Sequence, residues 1–81
     1  MKKNIYTVVV EDSNGIRTTE TFDDNQKQAL AYLKGRHSIM KAMFNGWKEE
    51  VGINYYIWRN EKEFTKLYLE IVEADVDEDN D

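Results

Sequence analysis

Residues 30–51, LAYLKGRHSIMKAMFNGWKEEV, carry the pattern on which the fold turns. Within them Leu30, Leu33, His37, Met40, Phe44, Trp47 and Val51 recur at alternating steps of three and four. That rhythm keeps one stripe on one face of a helix, where 3.6 residues make a turn. At the start of the stretch, Asp23 or Asp24 is placed to cap the helix, with Gln26 three residues after Asp23 as in a capping box. Gly35 and Gly46 interrupt the pattern, each at a cost of about 1 kcal/mol relative to alanine. The spacing therefore predicts one long helix from about residue 24 to 50, with a kink or split allowed at Gly35, closed by Gly52.

On the N-terminal side, Ile5 to Glu11 is short and β-branched and reads as a strand. Asn14-Gly15 follows, a pair that tolerates positive φ at both positions, and Ile16 to Phe22 returns as a Thr-rich second strand. A loop of two residues or of four would put different side chains on the core face. Past the helix, Ile53 to Trp58 reads as a third strand, Arg59 to Glu63 as a polar turn and Phe64 to Val72 as a fourth strand. A helix over 61–73 competes for the last of these, but Leu67, Leu69 and Ile71 alternate as strand residues do. The expected fold is α+β, in the order ββαββ: a four-stranded antiparallel sheet packed on one long helix. Residues 1–72 form the single domain and 73–81 an acidic C-terminal tail. If Ile53, Tyr55 and Ile57 face the helix, Tyr56 and Trp58 lie on the outer face of the sheet, as candidate interface residues.

Composition bounds the rest. The chain has 81 residues, no cysteine and no proline, which excludes a disulfide scaffold and a cysteine zinc site. Its 41% hydrophobic content and ten aromatic residues suit a small core without staples. No apolar run approaches the roughly 20 residues that span a bilayer. Met1-Lys2-Lys3-Asn4 leads into no apolar stretch of the signal-peptide kind, so a cytoplasmic protein is expected.

The charge is segregated. Sixteen acids and eleven bases give -5, yet Glu70, Glu73, Asp75, Asp77, Glu78, Asp79 and Asp81 place -7 in residues 70–81, leaving +2 for residues 1–69. Positions 73, 75, 77, 79 and 81 are all acidic. An extended chain would carry those carboxylates on one side, roughly 6.8 Å apart, in line with Leu67, Leu69 and Ile71. Such a segment serves either as a solvated, self-repelling end or as a negative ribbon for a basic groove. The helix is opposite in sign. No acid occurs between residues 25 and 48, where Lys27, Lys34, Lys41 and Lys48 stand seven apart beside Arg36. Lysine stems commonly cover the flank of a buried seam. The same ridge is also placed to hold the tail or to contact phosphate.

Catalytic chemistry is poorly represented. The single histidine, His37, sits in the apolar stripe, where a hydrogen-bonded imidazole is expected, and only two serines occur. The four glycines form neither a phosphate loop nor a dinucleotide fingerprint. Asp75, Asp77 and Asp79 begin like a calcium loop, but Asn80 stands where the glycine belongs. No catalytic residue, metal or cofactor is expected. Tyr55 to Arg59 lacks the basic-glycine-aromatic pattern of an RNA-binding sheet, so packing or an interface suits its rings better.

In length, in the lack of cysteine and proline, and in the tail from Glu70 to Asp81, the chain resembles small early proteins that lytic phages make to take over a bacterial host. Some of these are DNA mimics that block a host DNA-binding protein, an inhibitor of the nucleoid protein HU among them. The resemblance is one of type, and the slightly basic body departs from a whole-surface mimic. It implies a non-enzymatic, phage-encoded inhibitor whose Glu70, Glu73, Asp75, Asp77, Glu78, Asp79 and Asp81 engage a basic DNA-binding protein, without direct nucleic-acid or membrane contact and with a homodimer as an option. The alternative is a nucleic-acid-binding module using Lys27, Lys34, Arg36, Lys41 and Lys48, with the acidic tail as an autoinhibitory cover.

Overall fold

The computed structural model describes residues 2–75. Strands β1 (Lys2–Asp12) and β2 (Arg17–Asp23) precede helix α1 (Gln26–Met43), and β3 (Lys48–Gly52), β4 (Tyr55–Arg59) and β5 (Phe64–Asp75) follow it. All neighbours pair antiparallel in one sheet of order β2-β1-β5-β4-β3. The fold is α+β as expected, but it has five strands in the order ββαβββ, not four in ββαββ.

The first hairpin closes around Asp12, whose side-chain oxygen accepts the N–H groups of Asn14 and Ile16 at 2.9 and 3.2 Å. The Asp12 N–H reaches the Ile16 carbonyl at 3.1 Å, so the loop is Ser13 to Gly15, three residues long instead of two or four. This register sets Tyr6, Val8 and Val10 opposite Phe22, Glu20 and Thr18 on the helix-bearing face. Asp24 takes a turn conformation at φ 52°, and the cap is Asn25, one or two residues later than expected. The Asn25 side chain accepts the Gln28 N–H at 3.1 Å and donates to the Gln28 side-chain oxygen.

The helix ends at Met43, well before residue 50. The Phe44 N–H still bonds to the Met40 carbonyl, but Gly46 then adopts φ +96°, a left-handed conformation that costs any other residue strain. The chain turns, and Lys48–Gly52 returns as an edge strand on β4. Gly35, which the sequence left open as a kink, lies within the continuous helix. Trp47 and Val51 thus keep the helical rhythm without being helical. Trp47 still reaches the core, its ring 4.9 Å from that of Phe44.

The core lies between α1 and one face of the sheet. Val8, Leu33, Met40, Trp58 and Leu67 form its buried centre, with Phe22, Leu30, Phe44, Tyr56 and Leu69 packed around them. Trp58 is its largest member and only 1% exposed. Tyr56 and Trp58 therefore face the helix, so their conditional placement on the outer face does not hold while the expected packing of these rings does, and Tyr55 and Ile57 occupy the outer face. Ile53 and Asn54 are the loop of a tight hairpin between β3 and β4, not the start of a strand, so neither sets which face of β4 is buried.

β5 is the spine of the sheet. It pairs with β1 from Lys2 to Asp12 but with β4 only from Phe64 to Tyr68, so its second half runs on beside β1. The result is elongated, 55 Å along its longest axis, with a radius of gyration of 15.2 Å against about 12 Å for a compact chain of this length. Glu73, Ala74 and Asp75, assigned by sequence to the tail, are strand residues opposite Asn4, Lys3 and Lys2.

Candidate functional site

At the far end of the sheet β1 and β5 continue past the last paired residue of β2, and the exposed Ile71 marks where helix cover stops. Strand alternation puts Ile71, Glu73 and Asp75 on the face that carries Leu67 and Leu69. The apolar row thus becomes an acidic one along a single strand. Lys2 lies between the two carboxylates, 3.3 Å from Asp75 and 4.0 Å from Glu73. Lys3, half-buried, pairs with Asp23 at 2.8 Å. These pairs are open to solvent, where such contacts hold weakly. Asp77, Glu78, Asp79 and Asp81 lie outside the described residues.

Glu70 does not join this row. It points to the opposite face, where the Arg17 guanidinium reaches it at 3.3 Å and lies 4.0 Å from Glu11. The Tyr68 hydroxyl donates to the same Glu11 carboxylate. Arg17 thereby crosses Val9, which is fully buried although it points away from the helix. The hydrogen bond to Glu11, and then burial, raise the Tyr68 phenol above its ordinary value near 10. The Arg17 guanidinium is raised in turn, first by its contact with the Tyr68 hydroxyl and then by the charges of Glu70 and Glu11.

Beside this network the outer face holds an open hollow of about 350 Å³ lined by Ile53, Tyr55, Ile57, Lys66, Tyr68 and Glu11. The Tyr55 ring packs so closely over Gly52 that a Cβ there would lie 1.9 Å from it. The hollow is not legible from the sequence alternation, which groups Tyr55 and Ile57 on one face correctly but takes that face as the inner one. Gly52-Ile53-Asn54 between two short alternating runs was the available hairpin signal.

On the helix, Lys27, Lys34 and Lys41 are exposed and stand about 10 Å apart along the axis. Among the described residues no carboxylate lies within 4.0 Å of their ammonium groups. Lys48 belongs to β3, opposite Arg59, and so leaves the expected ridge of four. Arg36 is half-buried. His37 bonds through Nε2 to Glu49 at 3.0 Å and stacks on Tyr56, with centroids 3.7 Å apart and planes 10° from parallel. The imidazole ties α1 to β3 and β4.

Among the described residues, no group of three or more His, Cys, Asp or Glu is arranged to hold a metal ion, and no helix is long and apolar enough to cross a membrane. The fold is a two-layer α+β arrangement whose chemistry lies in three surfaces: an acidic strand end, a basic helix face and an open sheet face. Compared with known proteins, the chain matches no family model, no curated protein and no solved structure.

Proposed function

We propose that this protein is a non-enzymatic inhibitor, of the kind phages direct at their hosts, that sets its acidic end into the DNA-binding surface of a basic protein of the nucleoid-associated type. The observation that carries this reading is the single strand face on which Ile71 gives way to Glu73 and Asp75 at the narrow end of the sheet. A narrow end can enter a groove that a broad body cannot. Four further carboxylates, Asp77, Glu78, Asp79 and Asp81, follow in the sequence. Carboxylates two residues apart are spaced at about 6.8 Å, twice the roughly 3.4 Å between charges on one DNA strand. The acids act by occupying lysines and arginines that otherwise hold phosphate. Lys2 is displaced from Glu73 and Asp75 as a partner cation replaces it. Association is fast at low salt and weakens as salt rises, since screening acts over about 8–10 Å near physiological ionic strength.

The test is displacement of labelled duplex DNA from a purified bacterial nucleoid protein, followed by fluorescence anisotropy. The key variant carries Gln or Asn at 73, 75, 77, 78, 79 and 81. Substitution is preferred to truncation after Val72, because Glu73–Asp75 are paired to β1. Inhibition that survives in the amide variant rules this reading out.

The exposed row of Lys27, Lys34 and Lys41 favours a second reading, direct binding of nucleic acid by the helix face. Here the acidic segment is a cover, and its neutralisation strengthens DNA binding by this protein itself. The same titration without the nucleoid protein separates the two.

A further inference from the structure

The outer face of the sheet joins two features that fit one another. Ile53, at the tip of the β3–β4 hairpin, is 90% exposed, the most exposed large apolar side chain among the described residues. It stands on the rim of the open hollow whose walls are Tyr55, Ile57 and Tyr68. We propose that a second copy of this chain covers this face about a two-fold axis beside the hairpin, so that each Ile53 enters its partner's hollow. A two-fold contact is self-complementary, and a knob beside a matching hole is the arrangement it requires.

Charge separates a second copy from other occupants. The chain carries -5 overall, which opposes self-association through most of its surface. On the outer face, however, Glu11, Glu50 and Glu70 stand with Arg17, Lys48, Arg59 and Lys66, close to neutral. Several of these are already paired within the chain: Arg17 with Glu70 and Glu11, Arg59 with Glu50 at 3.7 Å. A strongly charged partner finds most of these groups already paired, whereas a copy meets only +1 against +1. Because β3 and β4 are only five residues long, the five strands at a spacing of about 4.8 Å give a face on the order of 600 Å². A stable interface buries about 800 Å² per partner. This inference stands apart from the acidic end, since Ile53, Tyr55, Ile57 and Tyr68 lie outside that set.

The experiment is sedimentation velocity with light scattering on the full chain across micromolar concentrations. The expected mass is twice 9.6 kDa for the native protein, falling two-fold for Ile53→Glu with an unchanged circular dichroism spectrum. Val51→Glu is the control, because Val51 is also exposed but lies on the other face, opposite Tyr56, and it is expected to leave the mass doubled. A native protein of single-chain mass throughout, or an Ile53→Glu variant that still dimerises, overturns the proposal. So does dissociation by Val51→Glu with Ile53→Glu unaffected. If the native chain is monomeric but retains a different protein through Ile53, the occupant is not a second copy and the proposal again fails.

Discussion

The Tyr68 hydroxyl donates a hydrogen bond to the Glu11 carboxylate across the β1–β5 pair, and Arg17 spans from that carboxylate to Glu70, roofing Val9. A small sheet with a helix on one side would ordinarily leave such a valine wet on the other. Here a polar network dries it, so the outer face is structured in its own right.

Tyr68 should make stability fall at alkaline pH. Its phenol is raised in the folded state by the bond to Glu11 and by burial, so the folded protein holds that proton more tightly than the unfolded chain. The contribution is complete below the unfolded value, near 10, and is lost as pH rises through the higher folded value. Tyr68→Phe should cost about 0.5–1.5 kcal/mol at neutral pH and remove this alkaline dependence. Urea unfolding at neutral pH and above pH 10 checks both; an alkaline dependence unchanged in Tyr68→Phe contradicts the assignment.

Two glycines should respond oppositely to alanine. Gly35 lies inside α1 with open space around its Cα, so Gly35→Ala should stabilise by about 1 kcal/mol. Gly46 ends the run at φ +96°, so Gly46→Ala should destabilise by about 1–2 kcal/mol. Thermal unfolding of the two variants distinguishes the observed helix from one running to residue 50, for which both would stabilise.

Trp58→Ala should cost about 3–5 kcal/mol, because the side chain is buried against Leu33, Met40 and Leu67. Against a total of about 4–12 kcal/mol for a chain of this length, that removes between about a quarter of the stability and all of it. Denaturant melts followed by circular dichroism measure it. A loss under 1 kcal/mol would mean that Trp58 lies on the outer face and would contradict its place in the core.

His37→Ala should loosen β3 more than the rest of the sheet. It removes both the bond to Glu49 and the stack on Tyr56, together worth about 1–3 kcal/mol. Amide exchange in residues 48–52 should accelerate ahead of exchange in β1. Uniform acceleration across the sheet contradicts a local role.

The first hairpin and the α+β class follow from local chemistry: β-branched residues, an Asn-Gly turn and a helical stripe are visible in neighbouring positions. Legibility fails where two patterns overlap. Trp47 and Val51 continue the helical spacing, so the sequence does not distinguish the positive-φ stop at Gly46 from an interruption, and β3 hides within the helical rhythm. With β3 absorbed, Ile53 and Asn54 read as the start of the next strand, and the polar Asn54 marks its own parity, shared with Tyr56 and Trp58, as the outer one. Asn54 is in fact a hairpin-loop residue, so it carries no information about which face of β4 is buried. The roof over Val9 was beyond a local reading, because Arg17, Glu70 and Tyr68 meet only through the β2-β1-β5 order.

The most direct test of the proposed function is the displacement titration, run with native protein and with the amide variant at positions 73, 75, 77, 78, 79 and 81. Native protein should release duplex DNA from the nucleoid protein at low salt and less effectively as salt rises. The amide variant should keep the native circular dichroism spectrum and release none. Equal release by both proteins, or DNA bound by this protein itself and more tightly by the amide variant, would contradict the account.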